Sequence, residues 1–277
     1  MMEVVVLAEE HASGRLWAQH GISFLLKVER GDKVYKVLFD TGTSWTPIEH
    51  NLELLNEDLK GLIAIVLSHR HYDHTGGLLG ALKSVGKPTP VIAHPDIFSV
   101  NFVLPMREIG LPYSREELES AGARFILSRD PVEIVPGVIT TGEVPRVDPV
   151  EREMTLEAYT VRDGRLSRDP MMDDLSLVVK TSAGGVVLTG CSHAGVLNIV
   201  RRAKQLVGEV YAVMGGFHLI GADDNRIRAT VRGFRELGVK KVMTGHCTGI
   251  KAECAFLREY GEDFDQLAVG KRYLFPD

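Results

Sequence analysis

The 277-residue chain reads as one continuous α/β domain spanning residues 1–277, and three observations predict this class. Strand patterns fill the first quarter. Strand and helix patterns take turns from residue 51 onward. Four times, a buried-strand pattern runs into a polar loop carrying histidine, and a helical pattern follows.

In the first quarter, EVVVLA, GISFLLKVE and KVYKVLFD carry the β-branched and aromatic residues that suit strands, and ERGDK supplies a hairpin turn between the last two. An antiparallel meander is expected there. NLELLNEDL has helical apolar spacing, and LIAIVLS is a continuous apolar run that fits a strand buried on both faces. GLLGALKSV reads as a helix. SREELESAG predicts another, with Ser114 as N-cap, Glu117 completing a capping box and Gly122 as its stop. VLNIVRRAKQLVG, NRIRATVRGFRELG and IKAECAFLREYG are amphipathic helices closed by glycine. Between about 128 and 182, VEIVPGVITTG and LEAYTVRDGRL read as strand pieces of a second sheet or an inserted hairpin.

Composition narrows the function classes. Hydrophobic residues make up 44% and charged residues 25%, enough to bury a substantial core. The formal net charge of -5, with no basic stripe, argues against a nucleic-acid partner. The opening MMEVVVLAEEHASG lacks a basic segment and a long apolar run, and no stretch nears the roughly 20 apolar residues of a membrane span. A cytoplasmic protein without a membrane partner is therefore expected, its oligomeric state open. Three irregularly spaced cysteines, Cys191, Cys247 and Cys254, make no disulfide framework.

The loop SHRHYDHTGG concentrates the chemistry. Histidine fills only 10 of 277 positions, yet His69, His71 and His74 fall with Asp73 inside six residues. Neutral imidazole and carboxylate are ligands that a divalent ion such as zinc prefers, at about 2.0–2.1 Å for nitrogen. His69 and His71 are two apart, so extended backbone points both at one ion; Asp73 and His74 follow where the chain turns and can face a second. Two ions about 3.5–4 Å apart make a hydrolytic centre. Gly76 and Gly77 remove bulk where the next helix begins. The other three histidine loops, LTGCSHAG, VMGGFH and KKVMTGH, follow later strands, whose ends converge in open α/β layers.

H-x-H-x-D-H after a buried strand, with more histidines after later strands, resembles the metallo-β-lactamase superfamily over nearly the whole chain. The combination AQHGISF, FDTG, HRHYDHTGG, TGCSHAG, MGGFH and TGHCTG is similar to a narrower branch labelled dihydropterin-aminobenzene-phosphate synthase-like and tied to methanopterin biosynthesis. The resemblance implies a four-layered αββα sandwich. It implies that His69 and His71 serve a first ion, that Asp73, His74 and His246 serve a second, and that Asp40 holds the loop from behind; His193 is the choice to complete the first site, beside the alternative of a histidine that caps the following helix. Cys191 stands where many members place a bridging aspartate, and is a candidate ligand beside the alternative of a small buried thiol. Glu143 and His94 are the candidates for the position of a third superfamily histidine. His218 is assigned to the leaving group or the substrate, and His20, Asp173 and Asp174 to supporting hydrogen bonds. His11, His50, Arg70, Arg107 and Arg146 read as surface residues, Tyr72 as packing, and Cys247 and Cys254 as core fillers.

The expected activity is that of a hydrolase: two divalent ions, zinc foremost with manganese or iron open, generate hydroxide for attack on an ester, lactone or phosphoester small molecule, with Asp73 and His218 as catalytic side chains. Three alternatives stand beside it. One is a metal-dependent synthase in pterin metabolism, as the branch label implies. Another is a di-iron oxidoreductase, whose relatives carry a flavodoxin-like domain that 277 residues cannot accommodate. The last is a non-catalytic metal-bearing binding protein, although a histidine-rich polar site favours an open catalytic position.

Overall fold

A computed structural model describes residues 1–151 and 157–276. Two seven-stranded sheets carry the chain. The first runs, in spatial order, Arg272–Phe275, Met2–Ala8, Ser23–Arg30, Lys33–Phe39, Leu62–Val66, Thr89–Ala93 and Ala123–Leu127. Its early strands form the expected antiparallel meander, turning at Gly31 and Asp32 with Gly31 at φ 59°, while its later strands are parallel. The second sheet runs Phe264–Gln266, Lys241–Gly245, Val210–Gly216, Gly184–Leu188, Leu177–Thr181, Val138–Thr140 and Glu133–Val135.

Side-chain alternation decides what lies on each face. Phe24, Leu26, Phe39 and Val66 point between the sheets, where they meet Leu177, Leu188 and Met214 of the second sheet. Leu25, Leu38 and Ile65 point the other way and are covered by Ile48 and Leu52 of the Trp45–Leu54 helix and by Leu78 and Leu82 of the Leu78–Val85 helix. Outside the second sheet, Val187, Val213 and Val242 pack on Leu197, Phe234 and Phe256 from helices Val196–Val207, Asp224–Glu236 and Ile250–Tyr260. These four layers are the αββα sandwich. No helix among the described residues is long and apolar enough to cross a membrane.

The middle of the chain does both things left open for it. The Glu133–Thr140 hairpin extends the second sheet, whereas Tyr159–Arg162 and Arg165–Arg168 join Phe102–Val103 and Arg107–Glu108 in a third, four-stranded sheet. Leu156, the first residue of the LEAYTVRDGRL reading, lies outside the described residues. The capping box at Ser114 is present, its hydroxyl accepting from the Glu117 N–H.

Three readings of single residues are corrected. Cys254 is exposed and not a core filler, because Ala252, Phe256 and Tyr260 take the buried face of its helix. His50 is half-buried, its ring stacked on Trp17 at 4.1 Å. Arg70 is not a surface residue: it is fully buried, and its guanidinium pairs with both Asp169 and Asp173. Its own N–H donates to Asp173 Oδ2 at 2.9 Å, so the histidine loop is clamped to the segment leading out of the third sheet.

Removing one partner from a buried ion network leaves the others desolvated and unpaired, at a cost of about 3–5 kcal/mol. Arg70→Ala is expected to destabilise the fold by that order in denaturant unfolding. A loss under about 1 kcal/mol would show that the clamp contributes little.

Candidate metal centre

The loops beyond four strand ends meet at one edge of the sandwich. His69, His71, Asp73 and His74 follow Leu62–Val66; Cys191 and His193 follow Gly184–Leu188; His218 follows Val210–Gly216; and His246 follows Lys241–Gly245. His71, Asp73, Cys191, His193, His218 and His246 border a cleft of about 490 Å³, and His69 and His74 are fully buried. Tight backbone approach makes this possible. A Cβ on Gly190 would sit 2.2 Å from Ser68 Oγ, and one on Gly77 would sit 2.1 Å from the Thr41 carbonyl oxygen. Asp40, Ser192, His218 and His246 all occupy positive φ, at 56°, 64°, 47° and 49°. Such conformations cost on the order of 1–3 kcal/mol each and persist where the surroundings over-determine them.

The imidazoles are oriented by their outer nitrogens. His74 Nδ1–H donates to Asp40 Oδ2 at 2.6 Å, and His246 Nδ1–H donates to Glu10 Oε1 at 2.8 Å. His69 Nδ1–H donates to Ser68 Oγ at 2.9 Å; that hydroxyl in turn donates to Asp40 Oδ2 at 2.7 Å. His71 uses its other nitrogen: Nε2–H donates to Asn101 Oδ1 at 3.1 Å, and Asn101 Nδ2 donates to Asp169 Oδ2 at 2.6 Å. Each ring thereby keeps one nitrogen for the centre, as histidine ligands do when a partner fixes their tautomer.

Those inner nitrogens fall into two groups. In one, His74 Nε2 and His246 Nε2 are 3.3 Å apart, each is 3.2 Å from Cys191 Sγ, and each is 3.4 Å from Asp73 Oδ2. Donors about 2.0–2.3 Å from a tetrahedral ion stand about 3.3–3.8 Å from each other, so this quartet has the dimensions of a zinc cage. In the other group, the rings of His69, His71 and His193 form a triangle with centroids 4.6–4.8 Å apart, and donor atoms of His69 and His193 cluster with Cys191. His69 Nε2 and both ring nitrogens of His193 are buried without a hydrogen-bond partner. Orphaned nitrogens in so polar a place fit a cation that they would ligate.

Electrostatics divides the groups in the same way. Burial holds His69 and His193 well below the usual histidine range and His71 down to about 4, so all three are neutral and able to ligate. Burial also opposes charge on His74, but Asp73 and Asp40 override it and raise the ring to about 9. Burial pushes the Asp73 carboxyl up, yet His74 and His246 hold it well below the usual carboxylate range. A cation entering the second group would displace protons that now balance Asp73.

Other expected residues divide between the cleft and its surroundings. His218 lies at the cleft beside His193, with ring centroids 4.4 Å apart, and its N–H donates to Cys247 Sγ at 3.3 Å. Cys247 therefore borders the cleft and is not a core filler, and Tyr72 borders it too, with Arg107 above its ring. His20 reaches inward, its Nε2 3.4 Å from Asp73 Oδ2. Asp174 accepts from the Ala194 N–H at 2.7 Å and so braces the His193 loop. His94 and Glu143 pair with each other at 2.9 Å and line no part of the cleft, which removes both as stand-ins for a third histidine. His193 does border the cleft, its ring 4.8 Å from those of His69 and His71.

Glu9, Glu10 and Asn101 were not singled out. Glu9 Oε1 accepts from the His246 N–H at 2.6 Å, and Glu10 Oε1 joins His246 to His20 Nδ1 at 2.7 Å. Burial disfavours charge on Glu10, but its two histidine partners hold its carboxyl far below the ordinary range. The available signal was an acidic pair directly after a buried apolar run, where a strand end meets the histidine loops.

The sequence profile of the metallo-beta-lactamase superfamily matches residues 23–246. A Methanocaldococcus jannaschii protein named 7,8-dihydropterin-6-methyl-4-(beta-D-ribofuranosyl)-aminobenzene-5'-phosphate synthase is 42% identical, over 98% of this chain and 95% of its own length. The crystal structure of Tm1679, described as a metal-dependent hydrolase of the beta-lactamase superfamily, superposes with a TM-score of 0.85 at 29% identity, covering 100% of both chains. Zinc-bound PqqB from Methylobacterium extorquens shares the fold at a TM-score of 0.56 and 11% identity, covering 99% of this chain and 100% of that one. The synthase overturns the expectation of a hydrolase. The histidine loop specifies donors for cations, and the same cations that would activate water can instead hold an anionic group of a substrate, a distinction no ligand motif encodes. An enzyme with a divalent-metal centre is what the kinship supports, and the matched span, which runs from the second strand of the meander to His246, makes the chain a member of the metallo-beta-lactamase superfamily.

Proposed function

We propose that the chain is a metal-dependent synthase that joins the 6-methyl carbon of a dihydropterin to the amine nitrogen of a ribofuranosyl-aminobenzene phosphate. The observation that carries this reading is the synthase relative, 42% identical over almost the whole of both chains. The cleft supports it. Its volume of about 490 Å³ suits a flat, medium-sized ligand, and beside the donor groups it offers the Tyr72 ring and the apolar Val103, Ile109 and Ile220. Arg107 is the one Lys or Arg side chain among its lining residues, and its guanidinium lies 5.7 Å from the Tyr72 ring centroid. An aromatic ring beside a guanidinium is the combination that an aminobenzene phosphate calls for.

In this reading His69, His71 and His193 would hold one divalent ion, and Asp73, His74 and His246 would hold another, zinc in both cases. The ions would supply fixed positive charge for an anionic leaving group on the pterin methyl carbon. The chain does the rest. A carbon–nitrogen bond forms, the leaving group departs with the electron pair of its broken bond, and the amine's proton passes to solvent. Arg107 binds the phosphate and Tyr72 stacks on the benzene ring. Asp73, between His20, His74 and His246, faces the incoming amine. His218, at the cleft beside His193, hydrogen-bonds the departing group.

Zinc-loaded protein is to be incubated with a dihydropterin carrying a leaving group on its 6-methyl carbon and with ribofuranosyl-aminobenzene phosphate. The coupled product is expected by mass spectrometry. Consumption of the pterin without coupling would refute the synthase reading. His71→Ala is expected to lose bound metal and coupling together, and retention of both by elemental analysis and assay would refute the ligand assignment. Arg107→Ala removes a charge-assisted hydrogen bond worth about 1.5–3 kcal/mol, so KM for the phosphate partner should rise by about tenfold or more with kcat little changed. An unchanged KM would place the phosphate elsewhere.

A further inference from the structure

We propose that Cys191 is a bridging thiolate, a single sulfur bound to both cations. This rests on the two-ion reading above and adds to it a ligand that ties the two sites together. Among the described residues, Cys191 is the donor common to both inner groups: it clusters with Asp73, His74 and His246 on one side and with His69 and His193 on the other. On the first side its Sγ is 3.2 Å from His74 Nε2 and 3.2 Å from His246 Nε2, which makes it one corner of the tetrahedral cage. On the second side the buried nitrogens of His69 and His193 have no hydrogen-bond partner, so an ion held by them would also stand beside this sulfur.

The chain holds the sulfur there. Cys191 follows the Gly184–Leu188 strand by three residues, is almost wholly buried, and is succeeded by Ser192 at φ 64°, whose hydroxyl donates to the Gly216 carbonyl at 2.7 Å. The sharp turn sends His193 back toward the same centre. Dimensions agree as well: with zinc–sulfur bonds of about 2.3 Å, one sulfur can span ions about 3.5–4 Å apart. As the two metal–sulfur bonds form, the S–H bond breaks and its proton passes to solvent; no electron transfer is involved. The soft ligand also biases the centre toward zinc or cobalt and away from magnesium or manganese.

The test uses the full chain loaded with zinc or with cobalt(II). Zinc-edge X-ray absorption is expected to show about one sulfur neighbour per zinc at two zincs per chain, and cobalt-loaded protein to show thiolate-to-cobalt charge-transfer absorption in the near ultraviolet. That absorption should survive in Cys247→Ser and vanish in Cys191→Ser and Cys191→Asp, with Cys191→Asp still holding two ions. About half a sulfur per zinc would mean a terminal ligand on one ion, and absorption lost in Cys247→Ser but kept in Cys191→Ser would move the thiolate to the neighbouring cysteine; either result overturns the bridge. Two bound ions with no sulfur signal would overturn the bridge while sparing the two-ion reading. Failure to bind metal at all would overturn both.

Discussion

The site depends on one buried carboxylate. Asp40, wholly shielded at the end of the Lys33–Phe39 strand, accepts the Ser68 N–H at 2.7 Å, the Ser68 hydroxyl at 2.7 Å and the His74 Nδ1–H at 2.6 Å. A carboxylate taken out of water without such donors would cost several kcal/mol, whereas each hydrogen bond to its charge contributes about 1.5–3 kcal/mol. Satisfying Asp40 therefore fixes where the histidine loop leaves its strand and which nitrogen of His74 faces inward. Ser68 passes the constraint on to His69. The parallel pairing of Lys33–Phe39 with Leu62–Val66 places carboxylate and loop side by side at the same sheet edge.

Three other supports work in the same manner from other directions. Glu9 and Glu10 hold the backbone and ring of His246, Asn101 holds His71, and Arg70 fastens the loop to Asp169 and Asp173. Asn101 also donates to Asp169, so the His71 support and the Arg70 clamp share one carboxylate. The inner donors are thus held by side chains that are themselves paired, and this is the condition for a cation site whose shape precedes its ion. The left-handed backbone at Asp40, Ser192, His218 and His246 shows where the fold bends to bring them together.

Much of this was legible in the amino-acid order. The strand-to-histidine-to-helix repetition gave the layers and the edge at which the loops meet, because apolar runs and helix stops are local signals. The spacing of His69, His71, Asp73 and His74 declared a cation site, and the glycine pair after them declared close packing. Arg70 was misread because its two aspartates lie about a hundred positions away, and burial set by distant partners leaves no local trace. Asn101 was passed over for the same reason, whereas Glu10 did leave a local trace, as half of an acidic pair directly after a buried apolar run. His94 and Glu143 misled by sitting at plausible strand ends, although their side chains are directed at each other. The reaction itself was misread as hydrolysis, since donor spacing describes what holds the ions and is silent about what approaches them.

The central claim is that side chains from separate strand ends converge on a pair of cations. Anomalous diffraction at the zinc edge from crystals of zinc-loaded protein tests it most directly. Two strong peaks are expected, one among His69, His71 and His193 and one among Asp73, His74 and His246. Peaks at unrelated surface positions, with neither group occupied, would contradict it.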